Sequence, residues 1–275
     1  ERIGHQNPDL VKPALGPKEP WAYRNKMQMP VGGTKGNIQM GFYAMGSHDI
    51  VQGTNCPIQD EGNNIIAQAC YQIAKEFDIE PYDEHTGKGV LRHIIGRIGQ
   101  SGWMIILVTA TEQLPHKEKW VEKLTERIPQ VETIVHNVNG KRTNVILGPK
   151  NNILYGDGTI TDHIKDLRFT LSPHSFFQVN PEQTTVLYDQ ALAYADLKGD
   201  ETVIDAYCGT GTISLFLAHK AKHVIGIEIV EPAIINAREN AKRNGYDNTE
   251  FIVADAAVEM PKLYKAGVRP DVIVF

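Results

Sequence analysis

Cysteine is scarce in this chain of 275 residues: Cys56, Cys70 and Cys208 are far apart and odd in number. Three scattered thiols argue against a disulfide framework and for a reducing, cytoplasmic setting. Long apolar runs are missing as well. None approaches the roughly 18 to 20 residues that a membrane-crossing helix needs, so no membrane association is expected. The first residues, Glu1-Arg2-Ile3-Gly4-His5, have neither a basic-then-apolar secretory pattern nor an initiator methionine, which suggests a start inside a longer parent. Positive charge is not in excess either; the formal net charge is −5. The imbalance is local. Residues 1–172 hold 19 Lys+Arg against 19 Asp+Glu, and residues 173–275 hold 9 against 14. Any grip on a polyanion must therefore come from basic clusters and not from the overall field. Disorder is excluded by composition, with 41% hydrophobic and 22% charged residues.

What is present divides into two textures. Residues 1–20 hold four prolines and read as an extended entry segment. Two strand-like runs follow, Trp21 to Pro30 and Asn37 to Ala44, joined by the glycine-rich loop Val31 to Gly36. Between 62 and 78, Ile65, Ile66, Ala69, Cys70, Ile73, Ala74 and Phe77 recur at helical spacing and make one apolar stripe. Cys70, on that stripe, reads as a small buried hydrophobe. Strands are expected at Val90 to Ile98, Trp103 to Thr109 and Val131 to Val138, with a helix near 116–128, and short strands with a Gly156-Asp157-Gly158 turn over 151–171. Residues 1–172 thus read as an α+β domain built on an antiparallel sheet.

From about residue 180 strands and helices alternate strictly. Helix 181–195 precedes strand Thr202 to Asp205, helix 212–219, strand His223 to Glu228, helix 231–244, strand Glu250 to Ala254, a helical stretch and strand Asp271 to Phe275. Residues 173–275 are therefore expected to form an α/β, Rossmann-like domain with a parallel sheet, ending after about four strands.

The segment Val203-Ile204-Asp205-Ala206-Tyr207-Cys208-Gly209-Thr210-Gly211-Thr212 carries the clearest chemistry. An apolar strand ends in a carboxylate, and a loop with two glycines lets a ligand approach the backbone before a helix opens. A dinucleotide turn needs a third glycine, where Ser214 stands, and no phosphate-loop motif occurs. A methionine-plus-adenosine ligand suits the turn better than a pyrophosphate. Glu228, 23 residues after Asp205, closes the next strand and can accept from both ribose hydroxyls; Asp255 closes the third and can meet an adenine amino group.

These segments, together with Ser175-Phe176-Phe177-Gln178-Val179-Asn180-Pro181, Gly226-Ile227-Glu228-Ile229-Val230-Glu231-Pro232-Ala233, Trp21-Ala22-Tyr23-Arg24-Asn25-Lys26 and Leu91-Arg92-His93, resemble the RNA 5-methyluridine methyltransferases, above all their bacterial 23S rRNA branch. The resemblance covers nearly the whole chain, and the Ser-Phe-Phe-Gln-x-Asn-Pro segment is its most specific motif. It implies S-adenosylmethionine as cofactor, contacted by Gln178, Tyr207, Glu228 and Asp255, with Gly209, Gly211 and Thr212 shaping the loop. Tyr207 contributes a ring to that pocket or packs ordinarily. Phe177 packs near an extruded base or lies in the core. The resemblance also implies 23S rRNA as partner, with DNA not expected. Some members of the family hold an iron–sulfur cluster on three upstream cysteines and a later one; Cys56 matches the later one and by itself should bind no cluster.

In the family, a cysteine thiolate adds to carbon 6 of uracil, carbon 5 takes the methyl group, and a carboxylate then removes the carbon 5 proton. Neither group is visible here: both are expected beyond Phe275, and Cys208, in the cofactor turn, is not a substitute. The segment alone is therefore expected to be inactive. RNA contacts are expected from Arg24, Lys26 and Lys35 near the first hairpin and from Lys88, Arg92, His93 and Arg97 along another run, with Arg92 and His93 on opposite faces of a strand. Three readings stay open beside the rRNA enzyme: a tRNA-directed member of the family, a small-molecule methyltransferase, and a non-catalytic RNA-binding module.

Overall fold

A computed structural model describes Asn7 and residues 10–275. The reading of residues 1–20 as an entry segment, and of the first five residues, falls partly or wholly outside that range.

The first half is a seven-stranded sheet of β1 (Lys26–Thr34), β2 (Asn37–Tyr43), β3 (Ile50–Gln52), β4 (Leu91–Ile98), β5 (Trp103–Thr109), β6 (Val131–Val138) and β7 (Lys150–Tyr155), in the order β3-β2-β1-β4-β5-β6-β7. It is mixed, which corrects the expected antiparallel sheet: β5 and β6 run parallel, the other pairs antiparallel. The cause is the intervening helix α2 (Lys117–Arg127), which carries the chain back to the starting end of β5 before β6 begins. The expected glycine loop is also shorter. Strand β1 runs on through Gly32 and Gly33 to Thr34, paired with Asn37, and only Lys35-Gly36 turns the chain. Gly36, at φ +78°, supplies the left-handed conformation such a two-residue turn demands.

Alternation along the strands sends Met27, Met29, Val31, Ile94, Ile105 and Leu107 to one face. Helices α1 (Glu61–Glu76) and α2 cover it with Ile66, Cys70, Ile73, Trp120 and Leu124. Ile65, placed on the stripe by its spacing, is instead exposed. The opposite face presents Ile95, Met104, Ile106, Val108 and Val135. Against it pack the hairpin of β8 (Ile160–Ile164) and β9 (Leu167–Leu171), Phe177 and residues of the second half, including Tyr188, Phe216 and Phe251. One buried cluster thus runs across position 172.

The second sheet has the order β12-β11-β10-β13, all parallel, with β10 at Thr202–Asp205, β11 at His223–Glu228, β12 at Thr249–Val253 and β13 at Val272–Val274. Helices α3 (Pro181–Ala195), α4 (Thr212–Ala218), α5 (Glu231–Arg243) and α6 (Ala256–Lys265) alternate with the strands. Helix α3 starts where the residues say it should: Asn180 accepts from the Gln183 N–H and proline fills the first turn. The strand order turns back at β10, which puts a crevice at the carboxyl ends of β10 and its neighbours. Among the described residues no helix is long and apolar enough to cross a membrane.

Candidate functional site

Three carboxylates close three successive parallel strands, as their sequence positions imply. Asp205 ends β10 and is buried; Ser214 of α4 donates to its Oδ2 at 2.5 Å. Burial pushes the Asp205 carboxyl up to about 6, the Ser214 and Tyr207 hydrogen bonds oppose that, and the Glu228 charge adds to it. Glu228 ends β11 with its Oε2 accepting from the Gly209 N–H at 3.3 Å and its Oε1 from the Val230 N–H at 2.9 Å. One carboxylate therefore ties the glycine turn to the tip of the adjacent strand. Asp255, exposed, follows β12 and caps α6 through the Ala257 N–H at 2.9 Å. The Ala254 N–H just before it donates to the Glu228 carbonyl.

The turn between β10 and α4 is open to a ligand on one side and packed on the other. Tyr207 is 69% exposed, whereas Cys208 faces the core. Gly209 and Gly211 sit at φ +53° and +80°, where a side chain is strained. A Cβ at Gly211 would also come within 3.1 Å of Ala237 and Phe251. Thr212 turns away, its hydroxyl bonded to Tyr188 at 2.8 Å. Buried Asn240 donates to the Thr210 carbonyl and accepts from the Thr170 N–H, so α5 locks the turn to β9. Sequence reasoning missed Ser214 and Asn240. Ser214 had a signal, a hydroxyl inside an otherwise apolar helix nine residues after Asp205; Asn240 had none, because its partners come from two other elements.

Gln178 lines a groove of about 400 Å3 with Leu15, Asn180, Gln183, Thr184 and Leu187. Its loop is anchored to both halves. Arg97 donates to the Ser175 carbonyl at 2.6 Å, the Asn25 N–H to the Val179 carbonyl at 2.9 Å, and Asn236 to the Ser175 hydroxyl at 3.5 Å. Phe177 is 4% exposed and meets Phe169 at 5.7 Å between ring centroids, which puts it in the core; Phe176, its neighbour on the extended segment, is 70% exposed. The ring open to a ligand is thus Phe176, which no motif reading singled out.

The basic residues separate likewise. Lys26 pairs across strands with Arg97, and burial together with the Arg97 and Arg24 charges lowers its ammonium to about 8. Burial lowers Arg97 to about 10, and its Nη1 has no hydrogen-bond partner. Lys35 faces Asp78 on the surface at 3.8 Å. Arg92 is buried: Nη1 donates to the Asn139 and Lys141 carbonyls at 2.5 and 2.8 Å, and its guanidinium lies 4.4 Å from the Tyr82 ring centroid. The expected opposition of Arg92 and His93 does not hold, because the β4–β5 register shifts at Arg92 and both residues line one cleft.

The thiols do not form a cluster site. Cys70 and Cys208 are buried in different cores, and Cys56 sits in a loop held by Asn64. An iron–sulfur cluster needs about four converging thiolates, and this donor set does not fit one.

Residues 197–275, which hold the carboxyl-end row of acids and the open glycine turn, match the family model described as "Methyltransferase domain". An uncharacterized RNA methyltransferase of Halalkalibacterium halodurans is 51% identical over 276 residues, covering 100% of this chain and 60% of that protein. One from Bacillus cereus is 49% identical with the same coverage. The chain spans about 60% of the length of these relatives. In fold it is similar to the tRNA (uracil-54, C5)-methyltransferase of Pyrococcus abyssi, solved in complex with S-adenosyl-L-homocysteine. That likeness has a TM-score of 0.71 at 24% identity and covers 86% of this chain and 56% of that one.

Proposed function

We infer that the parent protein methylates carbon 5 of a uridine in RNA, with 23S rRNA as substrate, and that this chain supplies its cofactor cradle and part of its RNA surface. The observation that carries the reading is the row of Asp205, Glu228 and Asp255 around the Gly209–Gly211 turn, with the exposed Tyr207 ring beside it. S-adenosylmethionine supplies an electrophilic methyl group on a sulfonium. Glu228 accepts from the ribose hydroxyls, Asp255 from the adenine amino group, and the ring of Tyr207 flanks the nucleoside. Gln178 and Phe176, on the loop that bridges the halves, face the incoming base. Arg24 and Lys26 neutralise backbone phosphates near that loop. The groups that add to carbon 6 and remove the carbon 5 proton come from elsewhere in the parent. Cys208 cannot serve as the nucleophile: burial and the nearby Asp205 and Glu228 charges push its thiol far up, and only a thiolate attacks.

A tRNA substrate is the second reading, favoured by the fold likeness to a tRNA enzyme. The test is calorimetry of this chain with S-adenosylmethionine. Binding is expected, and Glu228→Gln should weaken it about tenfold or more, the worth of a charged hydrogen bond in a shielded site. The chain alone should transfer no methyl group to a uridine-containing rRNA hairpin. Absence of cofactor heat, or robust transfer, would overturn this assignment.

A further inference from the structure

The sheet face that meets the methyltransferase half continues beyond it. Alternation puts Lys26, Gln28 and Pro30 on the face opposite the buried Met27, Met29 and Val31. Lys26 pairs with Arg97 and Pro30 with His93, so these residues share a face with Ile95, which is buried against the second half. Arg97 touches the Ser175 carbonyl at the base-facing loop. Four residues along β4, about 13 Å at the rise of a strand, His93 opens onto a cleft of about 240 Å3.

The walls of that cleft suit a flat, hydrogen-bonding ring. Tyr43 and His48 stack at 4.8 Å between centroids and 15° between planes, and Tyr43 is 41% exposed. Gly32 lets the Ile50 side chain settle on the strand floor, where a Cβ would come within 2.8 Å of it, and the two give the cleft an apolar base. The Nδ1 of His93 has no hydrogen-bond partner. Burial and the Arg92 charge lower that imidazole to about 4, so near pH 7 it is neutral and offers one donor and one acceptor. Asp49, Asp83 and Glu84 line the rim, with Glu84 held by His48 at 2.8 Å.

We propose that this cleft takes a second unpaired nucleobase of the same RNA strand, one that carries an exocyclic amino group. The inference rests on the RNA reading above. Stacking on Tyr43 and His48 supplies affinity without regard to sequence. The carboxylates supply the preference: adenine, cytosine and guanine present an amino group to them, whereas uracil has none and sets its one ring N3–H between two carbonyl oxygens that the carboxylates repel. The same carboxylates repel phosphate, which leaves the backbone to run along Gln28 towards Lys26 and Arg97, on the way to the loop of Phe176 and Gln178.

The test titrates AMP, CMP, GMP and UMP into the full 275-residue chain near pH 7. NMR follows the ring signals of Tyr43, His48 and His93. At least one amino-bearing nucleotide should shift these signals at least fivefold more tightly than UMP, and Tyr43→Ala should weaken it about fivefold or more. Tyr43 is exposed, so that variant keeps its fold, which circular dichroism verifies. A single-stranded oligonucleotide with 2-aminopurine should be quenched by the native chain and not by Tyr43→Ala. Equal binding of UMP, shifts confined to residues 175–178, or an unaffected Tyr43→Ala chain would overturn the proposal. Calorimetry with S-adenosylmethionine is independent of this readout: a silent cleft in a chain that binds the cofactor removes the base subsite alone, and a chain that binds neither removes both readings.

Discussion

Asp205 shows how one residue couples stability to function. Its carboxyl, buried beside Glu228, is raised to about 6 from the 3.8 of an exposed aspartate. The folded chain therefore binds more protons than the unfolded chain between those values, and the contribution of this group to stability falls as pH rises through that window. Above it the cost levels off at about 3 kcal/mol, because each tenfold change in proton affinity is worth about 1.4 kcal/mol. Asp205→Asn keeps an acceptor for the Ser214 hydroxyl and carries no charge. It should be more stable than the native chain in urea at about pH 7.5, with little difference at about pH 3.5, while it weakens S-adenosylmethionine binding. An equal effect at both pH values would show that the buried charge does not set the stability. Stability given up beside a proposed cofactor cradle is the usual trade at a functional site. That Asp205 and Glu228 end neighbouring strands is readable from a carboxylate at the tip of an apolar run. The Ser214 bond and the burial are not, because they depend on α4 folding back over β10.

Elements follow the residue pattern closely wherever one period dominates. Helix α3, strands β5 and β6, and strands β10 and β11 begin and end where period and capping put them. The misses come from pairing. The β1–β2 turn shrank because Gly32 and Gly33 stay in the ladder, and Arg92 and His93 share a cleft because a register shift interrupts the alternation. Close packing also decides which glycines are obligatory. In β11 a Cβ on Gly226 would lie 2.6 Å from Phe251 and 2.9 Å from the Cys208 sulfur, whereas one on Gly53 would meet nothing within 4 Å. Gly226→Ala should therefore cost about 1–3 kcal/mol, the range for overpacking a filled core, and Gly53→Ala almost nothing. Comparison of their thermal midpoints checks this; equal midpoints would mean that Phe251 swings aside freely.

On the scale of the whole molecule, the buried cluster around Phe169 and Phe177 joins the seven-stranded sheet to the parallel one. All three tryptophans, Trp21, Trp103 and Trp120, precede residue 172. Phe177→Ala removes a ring from the shared cluster and should destabilise by about 3–5 kcal/mol, as large-to-small core changes do. If the halves unfold together, tryptophan fluorescence and helix-dominated circular dichroism should both report the loss with coincident midpoints. A tryptophan transition that stays put while the circular dichroism transition moves would show two independent units. Comparable solved architecture, in the Pyrococcus abyssi enzyme, extends over 86% of this chain and so includes both halves.

The sequence by itself determined the order and kind of the elements, the acids at the strand tips and the glycine turn between them, because each depends on a local period or on the conformational demand of one short segment. Tertiary structure alone decided that β5 and β6 run parallel, that Phe176 and not Phe177 is open, that Arg92 serves a loop, and that Tyr43, His48 and His93 meet at one cleft. These are contacts between residues far apart in the chain, and they follow from which faces bury each other, a competition among long-range packings that no local pattern encodes.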